Sequence, residues 1–350
     1  MLAAIGLFGC GGAGPIRKID GVAATEVPSI EAVGGTVGSF RADDGVALRY
    51  ASFPARGTPR GNAIVVTGRT QFIEVYLEQI GNLRDRGFAV WAMDWRGQGL
   101  SGGHPEDDRH KGHIHSFTRY LRDLRQFRHE VAQAGPGGWL LLSQSMGGGL
   151  SVRYAIEHPG DFDAVVVGAP LLDLAAGRTL VRFVSWRGKS APLDYVAGEG
   201  GGYGQHLREF DGNPFTRDRR RFLRQHAYID REPKLALGAP TQGWIRAAWI
   251  HVQHFDAPAF AARLKTPTLI LSAEEDKLVS IAAQERIAAQ SSLVRRVILP
   301  GTLHEVWLSD DVNQRRIWAE VGPFLDRHLP QPNERREPLG CCPHGRSAQR

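Results

Sequence analysis

The residues best suited to chemistry lie in the stretch 139–149, which has the sequence WLLLSQSMGGG. Its apolar start predicts a strand, and the glycines after Ser145 predict a turn that leads into a helix. A serine in a sharp strand-to-helix turn needs small neighbours, because other backbone must pass close to it. We therefore interpret Ser145 as a candidate nucleophile for acyl transfer. Ser143 stands where such a turn usually has glycine, and the alternative is an ordinary turn in which serine caps the helix.

A serine hydroxyl becomes a useful nucleophile only when a histidine takes its proton and an acid orients that histidine. Asp276 follows a predicted strand at 267–271, and His304 follows the last predicted strand at 294–299. The order serine, acid, histidine is the one expected when all three lie after parallel strands. We predict that Asp276 and His304 complete a catalytic triad with Ser145.

Other carboxylates and histidines compete for these roles. Glu274 and Glu275 lie beside Asp276 and are alternatives for the acid. Of the 13 histidines, only His304 combines the expected order with a position after a late strand. Three others follow the strand predicted at 88–93 and could line the mouth of the site: His110, His113 and His115.

Acyl transfer also requires N–H donors for the oxyanion that develops on the substrate. One is expected from the backbone of Met146, directly after the nucleophile, and the other from the loop after an early strand. In that loop Gly68 allows a close turn, so the amide of Arg69 is the second predicted donor. The Arg69 side chain either contributes to the site or forms a surface salt bridge with Glu74, and the sequence leaves both alternatives open.

The elements that must position these residues alternate regularly along the chain. Short apolar runs rich in β-branched residues are typical of buried parallel strands, and amphipathic segments between them indicate helices. The sequence therefore predicts an α/β fold, with a mostly parallel central sheet covered by helices on both faces. The predicted strands are 46–52, 63–67, 88–93, 139–142, 163–167, 267–271 and 294–299, and the predicted helices are 75–86, 116–134, 147–157 and 314–328.

The alternation stops within residues 174–264, which we interpret as an inserted, mostly helical cap, because a loop of that length is uncommon. The core then comprises residues 38–173 and 265–330. Between Thr216 and Lys234 the cap has seven basic and three acidic residues. Arg219, Arg220 and Arg221 form either a solvated helix face or a surface that contacts anionic membrane headgroups.

Composition excludes several classes of protein. The chain has 350 residues, 42% of them hydrophobic and 23% charged, with a net charge of +6. These values are those of a globular protein rather than a disordered or collagenous one. Three cysteines cannot form a disulfide framework. There is no nucleic-acid-binding motif and no apolar run long enough for a standard transmembrane helix.

The two ends are expected to lie outside the folded core. Residues 1–37 form an N-terminal segment whose start resembles the remnant of a bacterial lipoprotein signal, with Cys10 as a candidate lipid attachment site. Residues 331–350 are predicted to be a disordered tail. Cys341, Cys342 and His344 are only a weak indication of a metal site. We expect a protein of the bacterial cytoplasm or inner membrane surface, with anchoring through Cys10 as an open alternative.

Several of these stretches together resemble the α/β-hydrolase branch that contains the monoacylglycerol lipases and the bacterial lysophospholipase L2 type. Two departures from the branch are Ser143 in place of the turn glycine and Thr67 in place of a histidine in the commoner His-Gly loop. The resemblance covers residues 39–329 and is carried by five stretches: VTGRTQFIEVY at 66–76, DWRGQGLSG at 94–102, SMGG at 145–148, NPFT at 213–216 and GAPTQGW at 238–244.

The resemblance implies a serine hydrolase that cleaves a carboxylic ester of a single-acyl lipid, either a lysophospholipid or a monoacylglycerol. It implies Ser145, Asp276 and His304 as the triad and the amides of Arg69 and Met146 as oxyanion donors. No metal or organic cofactor is expected. The expected partner is a lipid or small ester, and contact of the cap arginines with an anionic membrane surface is an open alternative. The alternatives are a small-ester esterase, a peptidase of the proline-iminopeptidase kind, and a catalytically silent lipid-binding module.

Overall fold

A single eight-stranded sheet organises the computed structural model, which describes residues 26–330 except Ala134 and Glu199. The strand order is β1-β2-β4-β3-β5-β6-β7-β8. The first two strands pair antiparallel, β2 joins β4 antiparallel, and all the other pairs are parallel. The strands are β1 Thr36–Arg41, β2 Ala47–Phe53, β3 Gly61–Val66, β4 Phe88–Met93, β5 Trp139–Gln144, β6 Ala164–Gly168, β7 Thr268–Ala273 and β8 Val294–Leu299.

The described helices alternate with the parallel strands, which confirms the predicted α/β fold class, although α8 lies where the sequence predicted no helix. They are α1 Leu77–Asp85, α2 Phe117–Gln126, α3 Ser145–Glu157, α4 Arg178–Arg187, α5 Arg219–Arg231, α6 Gln242–Gln253, α7 Pro258–Ala261, α8 Ile281–Ala289 and α9 Asp311–His328. Strands β3, β5, β6 and β7 are buried along their whole length. Continuous apolar runs are required there because helices cover both faces of a parallel sheet.

The register of the sheet aligns the ends of the strands from which the site is built. Val66 at the end of β3 pairs with Ser143 near the end of β5, and Ala273 of β7 pairs with Leu299 of β8. Since these strands are parallel, the loops that follow them leave the same edge of the sheet. The fold therefore brings together loops that are far apart in sequence.

Most predicted bounds differ from the observed ones by one to three residues. Three predictions fail in a more specific way. β1 begins at Thr36, inside the segment 1–37 that we predicted to precede the core. The predicted helix 116–134 is α-helical only to Gln126 and continues as a π-helical turn, Phe127–Val131. The predicted helix 75–86 begins as a 3₁₀ turn, Ile73–Tyr76, before α1. A single turn of the wrong helix type leaves the apolar spacing almost unchanged, so the pattern could not distinguish these cases.

The part of the chain between β6 and β7 contains four of the described helices, α4 to α7, and α4 packs against α6. We keep the name cap for residues 174–264. Within residues 26–330, no helix is both long and apolar enough to cross a bilayer. The predictions for Cys10 and for the sequence beyond residue 330 lie outside the described residues.

The packing at the start of α3 gives the first testable prediction. A Cβ on Gly147 would lie 2.4 Å from the carbonyl oxygen of Thr67, so Gly147→Ala must displace the end of β3. We expect a loss of about 1–3 kcal/mol in the free energy of unfolding, measured by denaturant titration. Gly81→Ala in α1 is the matched control, because its Cβ would meet open space and alanine favours a helix by up to about 1 kcal/mol. Equal effects of the two variants would contradict this account of the turn.

Candidate active site

Ser145 occupies a strained turn between β5 and α3. Its φ of 52° lies in the left-handed region, which non-glycine residues seldom adopt and which recurs at functional sites. The glycines that follow allow neighbouring backbone to approach closely. An added Cβ would lie 2.4 Å from the Thr67 oxygen at Gly147 and 2.2 Å from the Leu171 oxygen at Gly149. The turn therefore directs Ser145 outward while the start of the helix stays tightly packed.

Ser143, which replaces the usual glycine, is fully buried in β5. Its backbone carbonyl accepts a hydrogen bond from Nε1 of Trp307 at 3.0 Å. Its hydroxyl has no hydrogen-bond partner within the described residues. The serine is thus accommodated as a small buried side chain, and Ser145 still reaches the histidine described next.

The structure brings together the three side chains predicted as a triad. Nε2 of His304 lies 2.8 Å from the Ser145 hydroxyl oxygen, and Nδ1 of His304 lies 2.8 Å from Oδ2 of Asp276. The other oxygen of Asp276 accepts hydrogen bonds from the amides of Leu278 at 2.8 Å and Val279 at 3.1 Å. These bonds fix the carboxylate so that it can hold the imidazole in one orientation.

The competing carboxylates face away from the histidine. Oε2 of Glu274 accepts a hydrogen bond from the Gly301 amide at 2.8 Å. Glu275 forms an ion pair with Arg217 at 2.6 Å. Of the three neighbouring acids, only Asp276 contacts His304.

Burial and neighbouring charges act in opposite directions on the triad. Burial opposes ionisation of Asp276, but the charge of His304 and the hydrogen bonds from His304, Leu278 and Val279 outweigh it and lower the pKa of Asp276. Burial likewise opposes the imidazolium form of His304, but Asp276, and to a smaller extent Glu305, raise the pKa of His304 above its usual 6.5. The site thus favours the charged pair that forms when His304 accepts the serine proton.

The two residues predicted to supply the oxyanion donors, Arg69 and Met146, line the same cavity as Ser145. Met146 is the second residue of α3, so the helix provides no carbonyl for its backbone N–H. The opposite loop approaches closely, since a Cβ on Gly68 would lie 3.5 Å from the Cβ of Ser145. Thr70 has a φ of 66°, and its amide donates to Oε1 of Gln98 at 2.8 Å, which fixes the loop after Arg69.

Of the two alternatives left open for the Arg69 side chain, the surface salt bridge with Glu74 is not the one found. Glu74 instead pairs with Arg49 of β2. The Arg69 side chain extends to the cap, where Nη2 donates to the Gly238 carbonyl at 2.6 Å. Its guanidinium carbon lies 5.4 Å from the ring centre of Trp244. The side chain therefore joins the loop of a predicted oxyanion donor to the cap.

A mostly apolar cavity of about 250 Å³ opens at Ser145 and His304. Such a cavity with a few polar groups at one end is typical of a site for an apolar ligand. The cap provides much of the wall through large side chains: Tyr203, Leu207, Phe222, Ile229, Leu237, Trp244 and Ile245.

The histidines expected at the mouth lie elsewhere. His113 and His115 line a separate, more open cleft of about 970 Å³ that contains none of the triad. The ring of His110 lies 6.4 Å from that of Tyr203, and its Nδ1 is 3.3 Å from the Tyr203 amide nitrogen. Within residues 26–330 there is no group of three or more metal-ligating side chains.

The prediction that Arg219, Arg220 and Arg221 present one basic surface is wrong for Arg221. Its side chain is only 3% exposed, and it pairs with Glu78, Asp218 and Asp311. Arg220 is exposed but also pairs with Asp311. These carboxylates come from α1, α9 and the start of α5, so the charge count of one segment could not reveal them.

Two polar residues at the site were missed from the sequence, Gln71 and Glu305. Both are buried, at 2% and 6% exposure, and Nε2 of Gln71 donates to Oε2 of Glu305 at 2.8 Å. Burial raises the pKa of Glu305 to about 7. The sequence signal that could have identified Glu305 is its position directly after His304, the predicted catalytic histidine.

This fold, with a serine, a histidine and an aspartate joined at the ends of parallel strands, defines an α/β-type serine hydrolase. The model of the serine aminopeptidase S33 family, also called Hydrolase_4, matches residues 57–311. The chain belongs to that family.

Curated relatives cover most of the chain. It is 28% identical over 306 residues to lysophospholipase L2 of Escherichia coli K12, covering 83% of this chain and 87% of the relative. It is 26% identical over 298 residues to the monoacylglycerol lipase of Mycolicibacterium smegmatis, covering 83% and 97%.

Solved structures share the fold. A soluble variant of monoglyceride lipase from Saccharomyces cerevisiae, in complex with a substrate analogue, aligns with a TM-score of 0.69 at 16% identity, over 86% of this chain and 99% of that one. The monoacylglycerol lipase of Paleococcus ferrophilus aligns with a TM-score of 0.60 at 21% identity, over 80% and 98%.

The raised pKa of His304 predicts a pH dependence. Only the neutral imidazole can accept the serine proton, so activity is lost as the pH falls through the pKa of His304. We expect kcat/KM for a soluble ester to rise with pH through an apparent pKa above 6.5. Asp276→Asn removes the charge that raises this pKa, so the acidic limb should move to lower pH while kcat falls by about 10⁴-fold. An unmoved limb would contradict the assignment of Asp276.

Proposed function

We propose that this chain is a carboxylic-ester hydrolase that cleaves a single-acyl lipid, a lysophospholipid or a monoacylglycerol, through an acyl-enzyme on Ser145. The observation that carries the proposal is the apolar cavity that ends at the contact between Ser145 and His304. An acyl chain in the cavity would have its ester carbonyl beside the nucleophile. The printed names of the relatives from Escherichia coli and Mycolicibacterium smegmatis support the same substrate class.

The proposed mechanism uses only groups of this chain. The Ser145 oxygen attacks the ester carbonyl while His304 takes its proton, and Asp276 stabilises the imidazolium. The backbone amides of Arg69 and Met146 hold the oxyanion. His304 then protonates the leaving alcohol, and with the same histidine as base, water attacks the acyl-enzyme and releases the fatty acid.

The size of the cavity supports a single acyl chain. Its volume of about 250 Å³ lies below the roughly 300–1,000 Å³ of most ligand pockets. A substrate with two long chains would have to place one of them outside. A cavity of this volume also accommodates a small ester, so an esterase for small esters is the first alternative.

The second alternative is a peptidase of the proline-iminopeptidase kind, which the description of the matching family keeps open. A substrate with a free α-ammonium group requires an acceptor at the site, and Glu305 is the carboxylate next to His304. The largely apolar wall of the cavity favours an acyl chain over a charged amino terminus.

A substrate panel tests the proposal. It consists of a lysophospholipid, a monoacylglycerol, a short p-nitrophenyl ester and a prolyl amide, each assayed with the wild type and with Ser145→Ala. We expect turnover of at least one single-acyl lipid, with kcat/KM above that of the prolyl amide, and a loss of about 10⁴-fold or more in Ser145→Ala. Full activity of Ser145→Ala would refute the nucleophile, and turnover of the prolyl amide alone would favour the peptidase.

We also propose that the cap contacts anionic membranes through a surface on α4 rather than through Arg221. This α4 surface consists of Phe183, Trp186, Arg182 and Arg187 of α4 and of Lys189, two residues after its end. The two aromatic side chains are 58% and 61% exposed, and their ring centres lie 6.1 Å apart. None of the three cations forms an ion pair within the described residues, in contrast to Arg220 and Arg221. Exposed aromatic rings beside basic residues are typical of helices that lie in a membrane interface.

A vesicle-binding comparison tests the α4 surface. Because each cation near an anionic surface contributes about 1 kcal/mol, Arg182→Gln/Arg187→Gln should weaken binding to phosphatidylglycerol-containing vesicles by roughly thirtyfold at low salt. Arg219→Gln/Arg220→Gln is the matched control, since it changes the net charge of the protein equally. We expect the control to bind almost as well as the wild type, and both pairs to hydrolyse a soluble ester normally. Equal losses of binding in the two double variants would show that only the net charge matters and would overturn the proposal.

A further inference from the structure

Gln71 connects two loops of the site through a buried chain of hydrogen bonds. Its Oε1 accepts from the Gly68 amide at 3.2 Å and from the Tyr76 hydroxyl at 2.5 Å. Its Nε2 donates to Oε2 of Glu305 at 2.8 Å. The chain therefore runs from the loop that contains Arg69 to the residue that follows His304.

The partners determine which way the Gln71 amide points. The Gly68 N–H can only donate, and above its pKa of about 7 the Glu305 carboxylate can only accept. The amide oxygen of Gln71 therefore faces Gly68 and its amide nitrogen faces Glu305. Gln71, Tyr76 and Glu305 are all buried. Breaking one of these bonds would leave a buried polar group without its partner, which is unfavourable.

The other end of this chain is also fixed. The Glu305 amide donates to the Phe215 carbonyl at 2.8 Å, and the His304 carbonyl accepts from Nε2 of Gln144 at 2.8 Å. The loop with His304 is thus held from the cap, from β5 and, through Gln71, from the loop with Arg69. A catalytic site needs this kind of support because small displacements of donors or of the base reduce the rate strongly.

We propose that Gln71 and Glu305 are a pair of positioning residues. They hold the loop that contains Arg69 in a fixed position relative to the loop that contains His304. The proposal rests on the proposed acyl transfer at Ser145. It adds a connection between the loop that holds the oxyanion and the loop that carries the catalytic base. Glu305 contributes a second effect, because its negative charge, together with that of Asp276, acts on His304. It lies in the wall of the cavity, so a direct substrate contact is the competing role and would change KM rather than kcat.

A swap of the two side chains tests the pair. Gln71→Glu places two carboxylates opposite each other and removes the donor to Glu305, and we expect kcat at pH 8 to fall about 10–100-fold with little change in KM. The double variant Gln71→Glu/Glu305→Gln restores the chain, since the new carboxylate accepts from Gly68 and Tyr76 and the new amide donates to it. Its kcat should recover to within about threefold of the wild type. A double variant no better than Gln71→Glu, or a loss confined to KM, would overturn the proposal.

Two further variants separate the loss of positioning from a loss of stability and from a loss of charge. Gln284→Glu places a carboxylate at another fully buried amide, on α8, and controls for lost stability. It should lower the melting temperature without the loss in kcat. Glu305→Gln keeps an acceptor for Gln71 but loses the charge, so the acidic limb of kcat/KM should move to lower pH. An unmoved limb would contradict the effect of the charge on His304.

The rate at which a fluorophosphonate modifies Ser145 gives a readout that needs no substrate. Phosphonylation also develops charge on an oxygen that the oxyanion donors must hold, so it should slow in Gln71→Glu and recover in the double variant. A wild type that reacts with the probe but hydrolyses no ester would refute the proposed function and leave this test intact. Equal rates in all variants would refute the positioning pair.

Discussion

The left-handed turn at Ser145 is the constraint on which the rest of the site depends. A non-glycine residue at a φ of 52° persists only when the surrounding structure enforces it. The absence of a Cβ at Gly147 lets β3 end directly against the start of α3. The same close packing puts the loop after β3 beside the nucleophile. The turn at Ser145 and the loop that contains Arg69 therefore form one packed unit, and the loops after β7 and β8 bring Asp276 and His304 to it.

The cap contributes to the catalytic loops as well as to the cavity wall. In the segment NPFT at 213–216, Pro214 and Phe215 accept hydrogen bonds from the backbone of His304 and Glu305, and the Thr216 hydroxyl donates to the Leu308 carbonyl at 2.6 Å. In the segment GAPTQGW at 238–244, Gly238 accepts from the Arg69 side chain. Each segment thus holds a different loop of the site.

Elements and residues that short sequence patterns specify were predicted correctly. The bounds of β4 and β8 were predicted to the residue, because each is a short apolar or alternating run between turn residues. Ser145, Asp276 and His304 were chosen from their positions after strands, and the structure places them in contact. The errors at the site concern contacts between distant segments. The partner of Glu74 is Arg49 on another strand, and the roles of Gln71 and Glu305 exist only because two loops meet.

We propose that Ser145 is the nucleophile and that His304 activates it. The most direct measurement is mass spectrometry of the protein quenched during turnover of a p-nitrophenyl ester, followed by peptide mapping. We expect one acyl group per chain, on the peptide that contains Ser145, and almost none in His304→Ala. Acylation at another residue, or undiminished acylation of Ser145 in His304→Ala, would contradict the proposal.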